Sequence, residues 1–178
     1  SRGYGPIRIW DTARESEVLA LDRHDGAMRY VVPSADGKTI TTVGFYDDPN
    51  FRWAPNRATM LASAAATGAT IIHTNANWPS IAPKRPTNAA NQNDPAYRLN
   101  DLDELVQNAS KNGMRVMIDI TGSPKWANGN KTPNHMPKKL SDLTAFSKML
   151  ANRYDGTVAG RGYVGLWSVW NEPNLNRF

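Results

Sequence analysis

The chain has 178 residues, one domain or one and a half at roughly 100 to 200 residues each, and with no cysteine it can build neither a disulfide nor a thiolate zinc site. No apolar run approaches the roughly 18 to 20 residues that span a bilayer, which argues against a membrane partner, and Ser1 to Pro6 lack the charged flank and apolar block of a signal peptide. The 21 Lys/Arg against 16 Asp/Glu leave a net +5, yet residues 1–43 carry six of each and the remaining basic residues are scattered, with Lys138-Lys139 and Lys84-Arg85 the nearest thing to runs, which argues against a nucleic-acid partner.

Up to Val43 the chain spells short β-type runs: Ile7 to Trp10, Val18 to Leu21, Met28 to Val32 and Thr39 to Val43. Turn signals at Asp25-Gly26 and Asp36-Gly37 separate them, so they read as hairpin-linked strands. Ile7-Arg8-Ile9-Trp10-Asp11-Thr12, His24-Asp25-Gly26 and Pro33 to Ile40 together resemble a single WD-repeat propeller blade over residues 5–43, although Arg23 stands before His24 where that family usually has glycine. A lone blade cannot make a propeller, whose sheets are buried against one another.

From Gly44 the rhythm becomes strand, helix, strand, helix, the pattern of βα units around a parallel sheet, and a domain boundary is expected at 43/44. Gly44-Phe45-Tyr46 opens a first strand, and Pro55 fits the first turn of a helix running through Met60, Leu61, Ala64 and Ala65. Asp47 and Asp48 between them are expected to cap the loop. Ala69 to Thr74 is a β-branched buried strand ending in Asn75, Asn77 and Trp78. The long stretch from Pro79 to Tyr97, with four prolines, is of a length that is usually functional or disordered.

Asn100 is the expected cap of the next helix, in which Leu102, Leu105, Val106 and Ala109 form an apolar stripe and Asp101, Asp103 and Glu104 fill the first turn. Val116 to Ile120 is a third strand, running out into Thr121 to Ala127. A helix capped by Ser141 buries Leu143, Phe146 and Leu150, and Tyr163 to Val169 is a fourth strand. Asp119 and His73 fall inside strands, where hydrogen-bonded interior roles suit them better than metal ligation; no metal or other cofactor is called for.

The fourth strand ends in Trp170-Asn171-Glu172-Pro173-Asn174. Polar groups at the carboxyl ends of parallel strands are where βα folds place their sites. A glutamate between an indole and an amide has the partial desolvation and the neighbouring donor that a general acid needs. This motif, with Gly122-Ser123-Pro124-Lys125-Trp126-Ala127 after the third strand and Trp78 after the second, resembles the retaining glycoside hydrolases of the TIM-barrel clan that includes cellulase-like enzymes and β-xylosidases.

The resemblance implies the N-terminal half of a (β/α)8 TIM barrel, strands 1 to 4 over residues 44–178, behind a short β-hairpin segment at 1–43. It implies Glu172 as the general acid/base and Asn171 as the holder of the sugar 2-hydroxyl, with an oligo- or polysaccharide as substrate. Trp126, Trp78 and Trp170 are candidate stacking surfaces, with Asn75 among the binding residues, and core packing is the alternative for Trp78 and Trp170. It also implies a secreted protein, although the chain shows no signal peptide.

In the family the nucleophile stands at the end of the seventh strand, about 5 to 5.5 Å from the acid, so this chain reads as an incomplete glycosidase, inactive on its own. The first and fourth strands are expected to present open edges suited to self-association. A non-catalytic module that binds carbohydrate or protein is the other reading of the same features.

Overall fold

The computed structural model describes residues 7–11, 16–21, 27–33 and 40–170, those before Gly44 as backbone strands. Two of these, β1 (Ile7–Asp11) and β2 (Ser16–Leu21), pair antiparallel as a two-stranded sheet of their own. The next two, β3 (Ala27–Pro33) and β4 (Ile40–Tyr46), pair antiparallel from Ala27↔Tyr46 to Pro33↔Ile40 and belong to a second sheet of five strands. The four strands thus divide between two sheets, and the blade resemblance finds no support in the topology.

The reason lies in β4, which continues without a break from Ile40 through Gly44 to Tyr46; the strand crosses the 43/44 boundary expected from the sequence. Its far edge bonds in parallel to β5 (Ile71–Asn77) through Gly44↔Ile71, Phe45↔Ile72 and Tyr46↔His73. Glycine fits this seam because a Cβ at position 44 would come within 3.1 Å of the Ile71 carbonyl oxygen and 3.3 Å of its Cβ. Between β4 and β5 lie a single π-type turn, Pro49–Trp53, and α1 (Arg57–Ala66).

After β5 come α2 (Trp78–Ile81), α3 (Asn100–Lys111), β6 (Arg115–Thr121), α4 (Lys125–Asn128), α5 (Leu140–Arg153) and β7 (Leu166–Val169). The sheet order is β3-β4-β5-β6-β7, and β4 through β7 run parallel. Four parallel strands in sequential order joined through helices are the N-terminal half of a (β/α)8 barrel. One expected feature is corrected: the outer edge of β4 is not open, because β3 bonds along it. Helix starts also shift, with Leu99 in place of Asn100 at the cap of α3 and Lys139 in place of Ser141 at the cap of α5.

Period-two alternation divides the sheet into two chemical faces. Phe45, Ile72, Ala76, Val116, Ile118, Ile120 and Trp167 lie on the side of the core, against Leu61, Leu102, Leu105, Val106, Phe146 and Leu150 of α1, α3 and α5. The α3 stripe is buried as its spacing predicts, and truncating one member, as in Leu105→Ala, costs about 2 to 5 kcal/mol. The opposite face carries Tyr46, His73, Asn75, Met117, Asp119 and Ser168. Asn75↔Asp119 and Asp119↔Ser168 are in register, so a polar row crosses three strands.

The long proline-rich connection from α2 to α3 is ordered by polar pins. Asp94 accepts from the backbone N–H groups of Asn88 and Ala96, both at 2.9 Å. Arg153 at the end of α5 reaches the Gln92 carbonyl at 2.6 Å while gripping both oxygens of Asp103 on α3 at 2.8 and 2.5 Å. Tyr154 donates to the same carboxylate at 2.8 Å, and burial followed by the Asp103 charge raises its phenol well above the usual range. The length that suggests a functional or disordered loop is therefore spent on packing across α3 and α5.

Candidate functional site

The carboxyl ends of β4 and β5 open into a cleft of about 420 Å³. The segment after β4 supplies Asp48, Arg52 and Trp53, and β5 supplies Asn75 and Asn77. Ser80 and Ile81 of α2, with Arg98 and Asp101 at the start of α3, complete the wall. Pro49 sets the π-type turn that aims Arg52 inward, and the turn is closed from outside by Asp47, which accepts the Asn50 backbone N–H at 3.2 Å and its side-chain amide at 2.7 Å. Asp47 is the loop cap expected of it.

Asp48 is not a cap. It is 8% exposed, accepts the Thr74 hydroxyl and the Asn75 backbone N–H, and lies 3.5 Å from Arg52. Burial raises its carboxyl above the usual range, and the Arg52 charge and the hydrogen bonds offset that only in part. Arg52, also 8% exposed, donates to Thr74 Oγ1 at 3.1 Å, to the Asn75 carbonyl at 2.6 Å and to Asp101 Oδ2 at 3.1 and 2.7 Å. Both carboxylates of the cleft are committed to this guanidinium. Sequence reading passes over Arg52, since a buried arginine in a five-residue turn leaves no periodic signal.

Of the residues expected at the site, Asn75, Trp78, Trp126 and Trp170 are described, and they stand in different surroundings. Asn75 does line the cleft, with its amide donating to the Tyr46 hydroxyl, and Tyr46 in turn lies 4.7 Å from the His73 ring. Trp78 is corrected to a core residue: it is 1% exposed, stacks on Phe146 at 5.2 Å with 16° between planes, and meets Trp126 edge-on at 5.5 Å. No indole face remains for a sugar.

Trp126 is half-buried, donates its N–H to the Ala82 carbonyl at 2.8 Å and carries the Arg85 guanidinium 4.4 Å over its ring. The void beside these two tryptophans measures about 30 Å³, room for about two waters and no sugar ring. Trp170 donates its backbone N–H to the Ile120 carbonyl at 2.9 Å and takes a left-handed φ of 63°, unusual for a bulky side chain. Asn171 and Glu172 lie outside the described residues.

Asp119 and His73 are buried within their strands, at 1% and 3% exposure. Burial raises the Asp119 carboxyl, and a hydrogen bond with Ser168 partly opposes the shift. Among the described residues no group of His, Asp and Glu is placed to hold a metal ion, and no helix is long and apolar enough to cross a membrane.

Residues 33–177 match the cellulase family, glycosyl hydrolase family 5. The chain belongs to that family. The match takes in β4 through β7 and extends over Asn171 and Glu172, and it begins at the last residue of β3. None of the curated proteins matches the chain.

Among solved structures, a glucosidase from Croceicoccus marinus matches at 15% identity with a TM-score of 0.50, covering 66% of this chain and 25% of that one. A family 39 glycoside hydrolase from Bacteroides cellulosilyticus WH2 matches at 21% identity and TM-score 0.49 over 74% of this chain and 24% of that one. A beta-galactosidase from Marinomonas ef1 matches at 17% and 0.49 over 72% and 21%. The family 5 chain thus spans about a quarter of the length of the solved structures it matches.

Proposed function

We propose that this chain carries the acid/base half of a retaining glycoside hydrolase site. Glu172 is the general acid that protonates the leaving glycosidic oxygen and then, as the carboxylate, the base that activates water; Asn171 holds the 2-hydroxyl of the glycosyl unit. The observation that carries this reading is the family 5 match over residues 33–177, which runs through the Trp-Asn-Glu-Pro element following β7. The polar row Asn75, Asp119 and Ser168 supports it, since it crosses three neighbouring parallel strands one or two residues before their carboxyl ends, the face on which βα folds place their sites.

The reading includes the mechanism's other requirement. A covalent glycosyl intermediate needs a second carboxylate about 5 to 5.5 Å from the acid, and a closed barrel needs eight strands where the described part has four in parallel, so the 178 residues by themselves do not turn over. General acid catalysis alone contributes about 10² to 10⁴, far below what a glycosidic bond demands.

The test is an assay on activated aryl β-glycosides with the chain alone and with the chain completed by the C-terminal half of a family 5 barrel, each with and without Glu172→Gln. Turnover is expected from the completed protein only, reduced about 10²-fold or more by Glu172→Gln. Equal rates with and without the substitution would remove Glu172 from the mechanism. Turnover by the 178 residues alone would overturn the need for the second half.

A further inference from the structure

Among the described residues, the one tryptophan that the fold leaves exposed is not among those expected to meet substrate. Trp53, at the end of the π-type turn, is 60% exposed on the wall of the 420 Å³ cleft. Its ring is nevertheless held. The indole N–H donates to Asp101 Oδ2 at 3.2 Å, and the Arg52 guanidinium stands 5.6 Å from the ring centroid. Arg52 is itself fixed by Thr74, the Asn75 carbonyl and Asp101, so the chain of contacts anchors the indole to β5 and α3 and leaves its surface open.

We propose that Trp53 is a stacking platform for a pyranose ring of an oligosaccharide, with Arg98 and Asn77, which line the same cleft, supplying donors to its hydroxyls. The proposal rests on the carbohydrate reading of the site and deepens it by naming a subsite removed from the reacting bond. Three physical features carry it. An indole face sheds water when it meets the apolar C–H face of a sugar, and a ring already held in place loses little rotamer freedom on binding. The cleft volume falls within the roughly 300 to 1,000 Å³ typical of small-ligand sites. Arg98 is exposed and makes no ion pair among the described residues, so its donors are available, whereas Arg52 is paired with both Asp48 and Asp101.

The same geometry excludes the neighbouring tryptophans from this role. Trp78 has no exposed face, and Trp126 has Arg85 over its ring. Trp53 is the platform because it stays 60% exposed with Arg52 more distant, 5.6 Å over its ring, and because its cleft is wide. A sugar held there would lie alongside Asn75 and Asn77, directing the rest of the oligosaccharide along the carboxyl ends of the strands.

The experiment uses the 178-residue chain titrated with cellopentaose and, separately, xylopentaose. Affinity is read by calorimetry and the Trp53 indole N–H resonance is followed by NMR. Saturable binding is expected for at least one sugar, with a shift of the Trp53 resonance. Trp53→Ala should weaken it about tenfold or more, Trp53→Phe, which keeps an aromatic face, by no more than about threefold, and Arg98→Ala by about threefold.

An unchanged unfolding midpoint for Trp53→Ala shows that the loss is one of binding. If Trp53→Ala binds as tightly as the parent, or if neither sugar binds saturably up to its solubility limit, the subsite is overturned. The outcome is separable from the catalytic reading: binding that depends on Trp53 stands even where Glu172→Gln leaves turnover of a completed barrel intact, and loss of turnover in Glu172→Gln stands even where Trp53 proves inert.

Discussion

Two regions at the carboxyl ends of the strands are built from the same three residue types and end up with opposite properties. In one, Trp53 has Arg52 5.6 Å over its ring and Asp101, in the first turn of α3, pairing with that arginine at 2.7 Å. In the other, Trp126 has Arg85 over its ring and Asp142, in the first turn of α5, pairing with that arginine at 2.9 Å. The first trio buries its arginine and exposes its tryptophan; the second exposes its arginine and half-buries its tryptophan. One borders a cleft of about 420 Å³ and the other a void of about 30 Å³. What distinguishes them is the neighbour: Trp78 and Phe146 fill the space beside Trp126, and no aromatic does so beside Trp53 among the cleft-lining residues. An aromatic residue at a strand tip is a ligand surface only where the next layer of packing stops short of it.

The largest expected contrast is between the tryptophans that the two regions bury and expose. Trp78→Ala removes a fully packed indole and should cost about 3 to 5 kcal/mol in urea unfolding, whereas Trp53→Ala should stay within about 0.5 kcal/mol. Equal costs would mean that the two regions are packed alike. Next come the arginines. Arg52→Ala strips the partner from buried Asp48 and should cost about 3 kcal/mol, while Arg85→Ala breaks a half-exposed pair and should cost under about 1 kcal/mol. High salt should narrow the second loss and leave the first nearly unchanged.

Smaller effects should appear as opposite slopes of stability against pH. Asp119 has its folded pKa raised by burial. The stability associated with its bound proton is fully present below the unfolded value of about 3.9 and is lost as pH rises through the folded value, so Asp119→Asn should flatten the decline on that side. Asp94 has its folded pKa lowered, first by the Asn88 backbone N–H and then by that of Ala96. Its contribution is present above about 3.9 and is lost as pH falls through the folded value, so Asp94→Asn should flatten the acid limb. Denaturation midpoints measured from pH 3 to 7, a window on the order of the unfolded carboxylate range, check both signs.

Much of the fold was legible because the parallel strands and α3 obey simple rules. Ile71-Ile72 and Val116 to Ile120 are β-branched or apolar runs, and Leu102, Leu105, Val106 and Ala109 keep helical spacing, so both read directly from sequence. The first strand reads as starting at Gly44 because the rhythm changes there from hairpins to βα units, whereas β4 runs through that residue from Ile40. The missing side chain of Gly44 is what lets β4 approach Ile71, a tertiary fact with no local signature. The site was legible in outline only. Strand ends and the Trp-Asn-Glu-Pro element mark the face, but which tryptophan stays uncovered depends on Phe146 arriving from 68 positions beyond Trp78, a distance no spacing rule spans.

The hairpin of β3 and β4 has a consequence for barrel geometry. A strand has two hydrogen-bonding edges, and β4 gives one to β5 and the other to β3 along seven residues of each strand. In a closed eight-stranded cylinder the first strand must bond to the second and the eighth. The polypeptide ahead of Gly44 therefore sits in the seat of the closing strand, running in the opposite direction. That seat admits one occupant, so no further strand can bond to β4 where β3 lies, and the hairpin shields from intermolecular pairing the edge that an open half-cylinder would otherwise leave bare.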